Sequence, residues 1–254
     1  MPVVISQLKW FSTMIFPSVS VCFPAYNEEK TVGSVLEGAY NLLISWSLQF
    51  EMIICNDAST DHTGEIIDSF AKNKPEVRII HHSFNKGIRD TFEELNREAR
   101  NEFVFLNSTD GQWKTEILID LLQMTNKWDV IIASRKIKPY GINRLFISGV
   151  FNLIPRLLFG VNTYDAGAVK LIKKEIINRF PLISLSPFSE AERLIKAQKA
   201  GYKISKYPVE VEYRKTGKST AIKWSVLSKT LPDVWKVWWS VQMAKDYPGI
   251  QREG

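Results

Sequence analysis

The sequence predicts an α/β protein, a mostly parallel β-sheet flanked by helices with a basic helical extension at the C-terminal end. Three observations predict it. Short, nearly continuous apolar runs occur at residues 19–23, 52–55, 77–80, 103–106 and 130–133, the pattern of strands buried on both faces. The segments between them repeat apolar residues at helical spacing, which implies βαβ units. The length, 254 residues, is about the ceiling for one hydrophobic core, so one large domain with a short appendage is expected.

Each element follows in order. After the first run, Val32, Val35, Leu36, Ala39, Leu43 and Trp46 lie on one helical face. After the second, Ser59 and Asp61 precede a helix as capping residues. After the third, Ile88, Phe92, Leu95 and Ala99 mark another helix. Beyond residue 134 the rhythm fades. Residues 140–160 read as an apolar helix sprinkled with Arg144 and Arg156, 187–200 as a charged amphipathic helix, and 203–213 as an alternating strand. The segment 223–240 holds four of the eight tryptophans together with three lysines. The expected organisation is an N-terminal extension over 1–17, a main domain over 18–220 split near residue 134, and an amphipathic tail over 221–254.

Composition narrows the function classes. Hydrophobic residues at 45% and charged residues at 24% are those of a folded globular protein, which excludes a disordered or collagen-like chain. Cys22 and Cys55 each sit inside an apolar run and read as small buried hydrophobes. No Cys/His zinc pattern occurs. His81 and His82 are adjacent strand residues that point to opposite faces, so they do not share a metal. No signal peptide or uncharged run of spanning length is evident; the expectation is a cytosolic chain, soluble or peripheral on a membrane. Residues 1–134 hold 11 Lys+Arg against 18 Asp+Glu, and residues 135–254 hold 22 against 9. A basic second half points to an anionic partner there.

In a parallel sheet, ligands sit beyond the carboxyl ends of the strands. The residues that follow the five runs are Pro24-Ala25-Tyr26-Asn27-Glu28-Glu29, Asn56-Asp57-Ala58-Ser59-Thr60-Asp61, His82-Ser83-Phe84-Asn85-Lys86-Gly87, Asn107-Ser108-Thr109-Asp110-Gly111-Gln112 and Ser134-Arg135-Lys136. Three of these loops carry acidic groups, and all five share one edge. Two other motifs carry no function. Gly217-Lys218-Ser219-Thr220 ends like a P-loop, but Glu212 stands where that loop needs glycine, and no Gly-x-Gly-x-x-Gly exists. Asn107-Ser108-Thr109 spells a glycosylation sequon that a sheet-edge position argues against.

The first, second and fourth loops resemble those of family 2 glycosyltransferases with the GT-A (Rossmann-like) fold. Ala133-Ser134-Arg135, Tyr164-Asp165-Ala166-Gly167, the Glu192…Ala197…Gly201 helix, Pro208-Val209 and Arg214-Lys215-Thr216-Gly217-Lys218-Ser219 are similar to dolichyl-phosphate and polyprenyl-phosphate sugar synthases. The resemblance covers residues 18–220. It implies that Pro24, Tyr26, Asn27 and Glu28 border the nucleotide and that Asp57 accepts a hydrogen bond from the base. Asn27 also reads as a helix cap, with Glu28 and Glu29 on the helix dipole. The resemblance further implies a divalent cation, Mg2+ or Mn2+, on Asp110 and Gln112, with Ser108 replacing the first Asp of the family's Asp-x-Asp. Arg135, Arg144 and Ser148 would contact an acceptor phosphate, and Arg214 and Lys218 would face phosphates. Asp110, Arg135 and Arg214 are the expected catalytic residues.

The implied reaction is inverting transfer of a sugar from a nucleoside-diphosphate sugar to a polyprenyl or dolichyl phosphate at an anionic membrane surface, where a membrane protein could assist. A phosphate acceptor needs no general base; a hydroxyl acceptor needs one, and Glu190 and Glu192 are the acidic candidates. Two alternatives stand beside this reading: transfer to a saccharide hydroxyl for cell-surface polysaccharide, and nucleotide-sugar binding with weak catalysis. Nucleic acid is not expected as a partner.

Overall fold

A computed structural model describes residues 16–136, 142–210 and 224–244. In chain order the elements are β1 (Val19–Ala25), α1 (Val32–Ser45), β2 (Phe50–Asn56), α2 (Thr63–Ala71), β3 (Val77–His81), α3 (Ile88–Glu98), β4 (Phe103–Leu106), α4 (Ile117–Leu122) and β5 (Val130–Arg135). There follow α5 (Ile142–Phe159), β6 (Lys170–Lys173), α6 (Lys174–Arg179), α7 (Ser189–Lys199), β7 (Ile204–Val209), α8 (Trp224–Trp238) and a π-helical turn (Trp239–Met243). All five apolar runs are strands, and the helical-period segments are helices.

The seven strands form one sheet in the order β3-β2-β1-β4-β6-β5-β7. β1 pairs in parallel with β2 and β4, β2 with β3, and β5 with β7. β6 alone is antiparallel, to both of its neighbours, so β5 runs in the same direction as β4. The carboxyl ends of β1 to β5 therefore share one edge. β6 was not expected from the sequence. It has four residues, too few for a periodicity signal, and its first, Lys170, is charged yet buried. Its ammonium is ion-paired with Glu190 of α7, which is how a lysine is tolerated in the sheet interior. The six-residue α4 and α6 escaped for the same reason of length.

Two apolar clusters hold the chain together. The larger lies on both sheet faces and includes Val21, Phe23, Leu36, Ile54, Leu95, Phe105, Ile131 and Leu194. β1 is buried at all seven positions, as its place between β2 and β4 requires. The smaller joins Phe159 at the end of α5 and Val161 just after it, Phe188, Ala191 and Ile195 around α7, and Val234, Val237 and Val241 of the C-terminal segment. One face of α8 thus packs on the main body. The face opposite carries Leu231, Trp235, Trp239 and Met243, each more than half exposed. No helix among the described residues is long and apolar enough to cross a membrane.

If this second cluster docks the C-terminal segment, Phe188→Ala, at a fully buried position, should cost about 3–5 kcal/mol. Urea unfolding reads this as a lowered midpoint, and an unchanged midpoint would show that the cluster does not hold the segment.

Candidate active site

The loops at the carboxyl edge are fastened to one another before any ligand is considered. Asn27 lies in the left-handed region, with φ 54°, a conformation that asparagine tolerates better than most residues. Its Oδ1 accepts from Thr60 N at 2.8 Å, while its own backbone N donates to Ser59 Oγ at 3.1 Å. Glu28 N donates to Thr63 Oγ1 at 2.8 Å and Glu29 N to Asp61 Oδ2 at 3.2 Å. The β1 and β2 loops are thereby joined across four contacts. Asn27 does not cap α1, whose first residue is Val32; the two-loop junction claims its side chain instead. Asp61 Oδ1 accepts from Thr63 N at 3.0 Å, at the start of α2, but the cap position is His62, which makes no side-chain cap bond.

Around this junction, Tyr26 presents its ring to solvent and Glu28 is partly exposed, its carboxylate accepting from Thr31 Oγ1 at 3.2 Å. Pro24 is buried within β1 and reaches the fourth loop through its carbonyl, which accepts from Thr109 Oγ1 at 2.9 Å. Gly64 in the first turn of α2 is required by close approach, since a Cβ there would lie 2.9 Å from Asn56 Nδ2.

Asp57 is buried just past β2, where its backbone N donates to Ala25 O at 2.9 Å. Its Oδ1 accepts from His82 Nδ1 at 2.6 Å and Lys86 N at 2.8 Å, and its Oδ2 from Gly87 N at 2.9 Å. Burial pushes the Asp57 carboxyl up, but these hydrogen bonds outweigh it and hold the group below its usual range. Glu94 of α3, bonded to Lys86 Nζ at 2.7 Å, is also held low. The Cys55 thiol, by contrast, is pushed up to about 12 by burial. It is an inert core group, as is Cys22.

Asp110 sits on the β4 loop. Its Oδ1 accepts from Ser108 Oγ at 2.6 Å and Gln112 N at 3.0 Å. Ser108, which stands where a carboxylate was expected, thus orients the carboxylate that remains. Asn107 is buried and bonded to Thr115, which leaves no room for a glycan. Asp110 offers carboxylate oxygens here, and Gln112 meets it through its backbone N. Among the described residues no group of three or more His, Cys, Asp or Glu side chains could hold a metal. One carboxylate suits a hard cation that keeps most of its ligands from phosphate and water.

Arg135, at the end of β5, places its guanidinium 5.0 Å from the Trp113 ring centre and its Nη1 3.3 Å from Asp165 Oδ2. Trp113 and Asp165 are both buried. Glu190 is ion-paired with Lys170; burial raises its carboxyl, but Lys170 and Arg193 hold it below the usual range. Glu192 is fully buried and accepts from Ile183 N at 3.0 Å and Ser184 N at 2.9 Å, with Lys196 Nζ at 2.9 Å. Of the other expected residues, Arg214 and Lys218 lie outside the described residues. Arg144 and Ser148 have their backbone in α5 and their side chains outside what is described. Sequence reasoning placed His82 on this edge but not its bond to Asp57, and it missed Glu94, Trp113 and Lys170. Trp113 had a signal: it directly follows a motif residue already singled out.

A model of the family described as "Glycosyl transferase family 2" matches residues 20–180. The chain is 29% identical over 224 residues to a "Dolichyl-phosphate beta-glucosyltransferase ALG5A" of Trichomonas vaginalis, covering 79% of this chain and 68% of that protein. It is 24% identical over 214 residues to an "Undecaprenyl-phosphate mannosyltransferase" of Micrococcus luteus, covering 79% and 86%. Among solved structures it shares its fold with a mannosyltransferase of Pyrobaculum calidifontis in complex with GDP-Man and Mn2+, at a TM-score of 0.60 and 15% identity, covering 92% of this chain and 70% of that one.

The depressed Asp57 carboxyl sets a pH dependence. A group whose carboxyl is lowered on folding contributes stability above its unfolded pKa and loses it as pH falls through the folded one. The stability gap between wild type and Asp57→Asn should therefore be constant above about pH 5 and shrink below about pH 4. Urea titrations across this range check it; a gap that widens on acidification contradicts the hydrogen-bonding scheme.

Proposed function

The chain belongs to glycosyl transferase family 2 and is a glycosyltransferase, and from that premise we propose that it moves a sugar from a nucleoside-diphosphate sugar to a polyprenyl or dolichyl phosphate, with inversion, at the cytoplasmic face of a membrane. One observation carries the reading: parallel β1, β2 and β4 bring the Asn27, Asp57 and Asp110 loops to a single edge, bonded to one another. The two relatives whose names specify lipid-phosphate acceptors support the acceptor class.

In this reading Tyr26 and Glu28 border the base and ribose, and Asp57 accepts from a base N–H. An acceptor phosphate oxygen bonds to the anomeric carbon as the bond from that carbon to the donor diphosphate breaks on the opposite side. Arg135, steadied by Trp113 and Asp165, supplies positive charge to the acceptor phosphate. Arg144, Ser148, Arg214 and Lys218 are proposed to add to that contact. Mg2+ or Mn2+, held by Asp110, Gln112 and the donor diphosphate, would neutralise charge on the leaving group. Both candidate bases are committed elsewhere, Glu190 to Lys170 and Glu192 to two backbone amides and Lys196. An acceptor that is already anionic needs neither, which favours phosphate over a hydroxyl.

The exposed row Leu231, Trp235, Trp239 and Met243, with Lys236 also exposed beside it, suits the interface of a bilayer, where tryptophan and lysine are favoured. Vesicles containing anionic lipid should bind the wild-type protein, and Trp235→Ser with Trp239→Ser should cut co-sedimentation several-fold; undiminished binding would assign the row another role.

The central experiment is transfer of radiolabelled sugar from nucleotide donors into organic-extractable lipid phosphate. Label confined to water-soluble products would favour the hydroxyl acceptor, and nucleotide binding without turnover under either metal would leave only a binding protein. Asp110→Ala should lower transfer at least about a hundredfold with its melting temperature kept. Unchanged turnover would remove Asp110 from the reaction.

A further inference from the structure

We propose that His82 is a positioning residue for donor recognition: its Nδ1–H holds the Asp57 carboxylate in the orientation that meets the nucleobase. The proposal rests on the donor reading above and adds a residue to it. His82 follows β3, and its side chain is 2% exposed. Its Nδ1 lies 2.6 Å from Asp57 Oδ1. Its Nε2 lies 3.1 Å from Glu94 Oε2 on α3 and 3.3 Å from Cys55 Sγ on β2. The same Glu94 oxygen accepts from Lys86 Nζ at 2.7 Å, and Lys86 N donates to Asp57 Oδ1 at 2.8 Å. Asp57, His82, Glu94 and Lys86 therefore form a closed ring of polar contacts.

The ring explains why the loop after β3 looks as it does. Gly87 N reaches Asp57 Oδ2 from a backbone with φ +85°, a conformation that other residues adopt only with strain. Asn85 Nδ2 donates to Asp57 O at 3.2 Å. Residues 82–87 thus wrap the Asp57 carboxylate and supply three of the roughly four hydrogen bonds it accepts. The direction left on Oδ2 is set by those three. Lys86 N and Gly87 N are adjacent along the backbone and take one oxygen each. His82 is the one side chain in the set, and at 2.6 Å it makes the shortest of the three contacts, a second one on Oδ1. A buried histidine that served only as core filling would not need both nitrogens beside carboxylates. Adjacent His81 faces the other side of the strand, bonded to Asp68 at 2.9 Å and Asn56 at 3.1 Å, and takes no part.

Two isosteric variants separate this role from a structural one. Asparagine places its amide nitrogen where Nδ1 lies and keeps the donor to Asp57; glutamine reaches toward the Nε2 position and keeps the link to Glu94 instead. Calorimetric titration with GDP and with UDP, each with MnCl2, gives the wild-type affinity. For the nucleotide bound more tightly, His82→Asn should stay within about threefold of wild type, and His82→Gln should weaken binding about tenfold, the loss expected for one hydrogen bond to a charged group. Equal affinities in the two variants, or an equal loss in both that tracks a lowered melting temperature, would overturn the proposal. A second measurement needs no variant. The Nδ1–H resonance of His82 in the wild-type protein must move when nucleotide is added, and a resonance that stays in place overturns the role. Wild-type protein that binds neither nucleotide overturns the donor reading itself, and this role with it; the variant pattern alone sinks only His82.

Discussion

Asn27 and the Ser59–Thr60 turn exchange hydrogen bonds across 32 and 33 positions of sequence, and the carboxyl edge depends on exchanges of this kind. Loops at a sheet edge carry backbone N–H groups with no strand partner, and unpaired groups are costly once water is displaced. Here the loops satisfy each other. The first loop bonds to the second through Asn27, Glu28 and Glu29, the second to the third through Asp57, and the first to the fourth through Pro24. A ligand arriving at this edge meets groups already fixed in place, so it does not bear the cost of ordering them.

The single antiparallel strand divides the chain in chemical terms as well as topological ones. The acidic loops follow β1, β2 and β4 on one side of β6, and the end of β5 with Arg135 lies on the other. Lys170, between them, has its charge answered by Glu190 from α7.

What could be read from the sequence was what has a period or a fixed position. β1 to β5 are apolar enough on both faces to stand out, and α1 and α3 repeat at helical spacing. Asp57 and Asp110 stood out because a parallel sheet makes the loop after each strand conspicuous. β6, α4 and α6 were not found, since four to six residues carry no periodicity. The partners of the conspicuous residues were hidden too. His82 bonds to Asp57 across 25 positions and Arg135 to Asp165 across 30, and no local pattern encodes contacts made by the fold. Asn27 shows the opposite difficulty: its local context suggested a cap, and a long-range partner won. Ser108 looked like a loss from the metal motif, whereas its hydroxyl pins the neighbouring carboxylate.

The π-helical turn at Trp239–Met243 has a geometric effect on the C-terminal segment. An α-helix advances about 100° per residue, so side chains four apart creep about 40° around the axis at each step. Over three steps such a row would wind well away from its starting flank. A π turn holds more residues per revolution, so there the creep runs the other way, and Met243 swings back toward the azimuth of Trp235. The widening that opens at Ala244 N→Trp239 O thus straightens a row that a regular helix would have coiled.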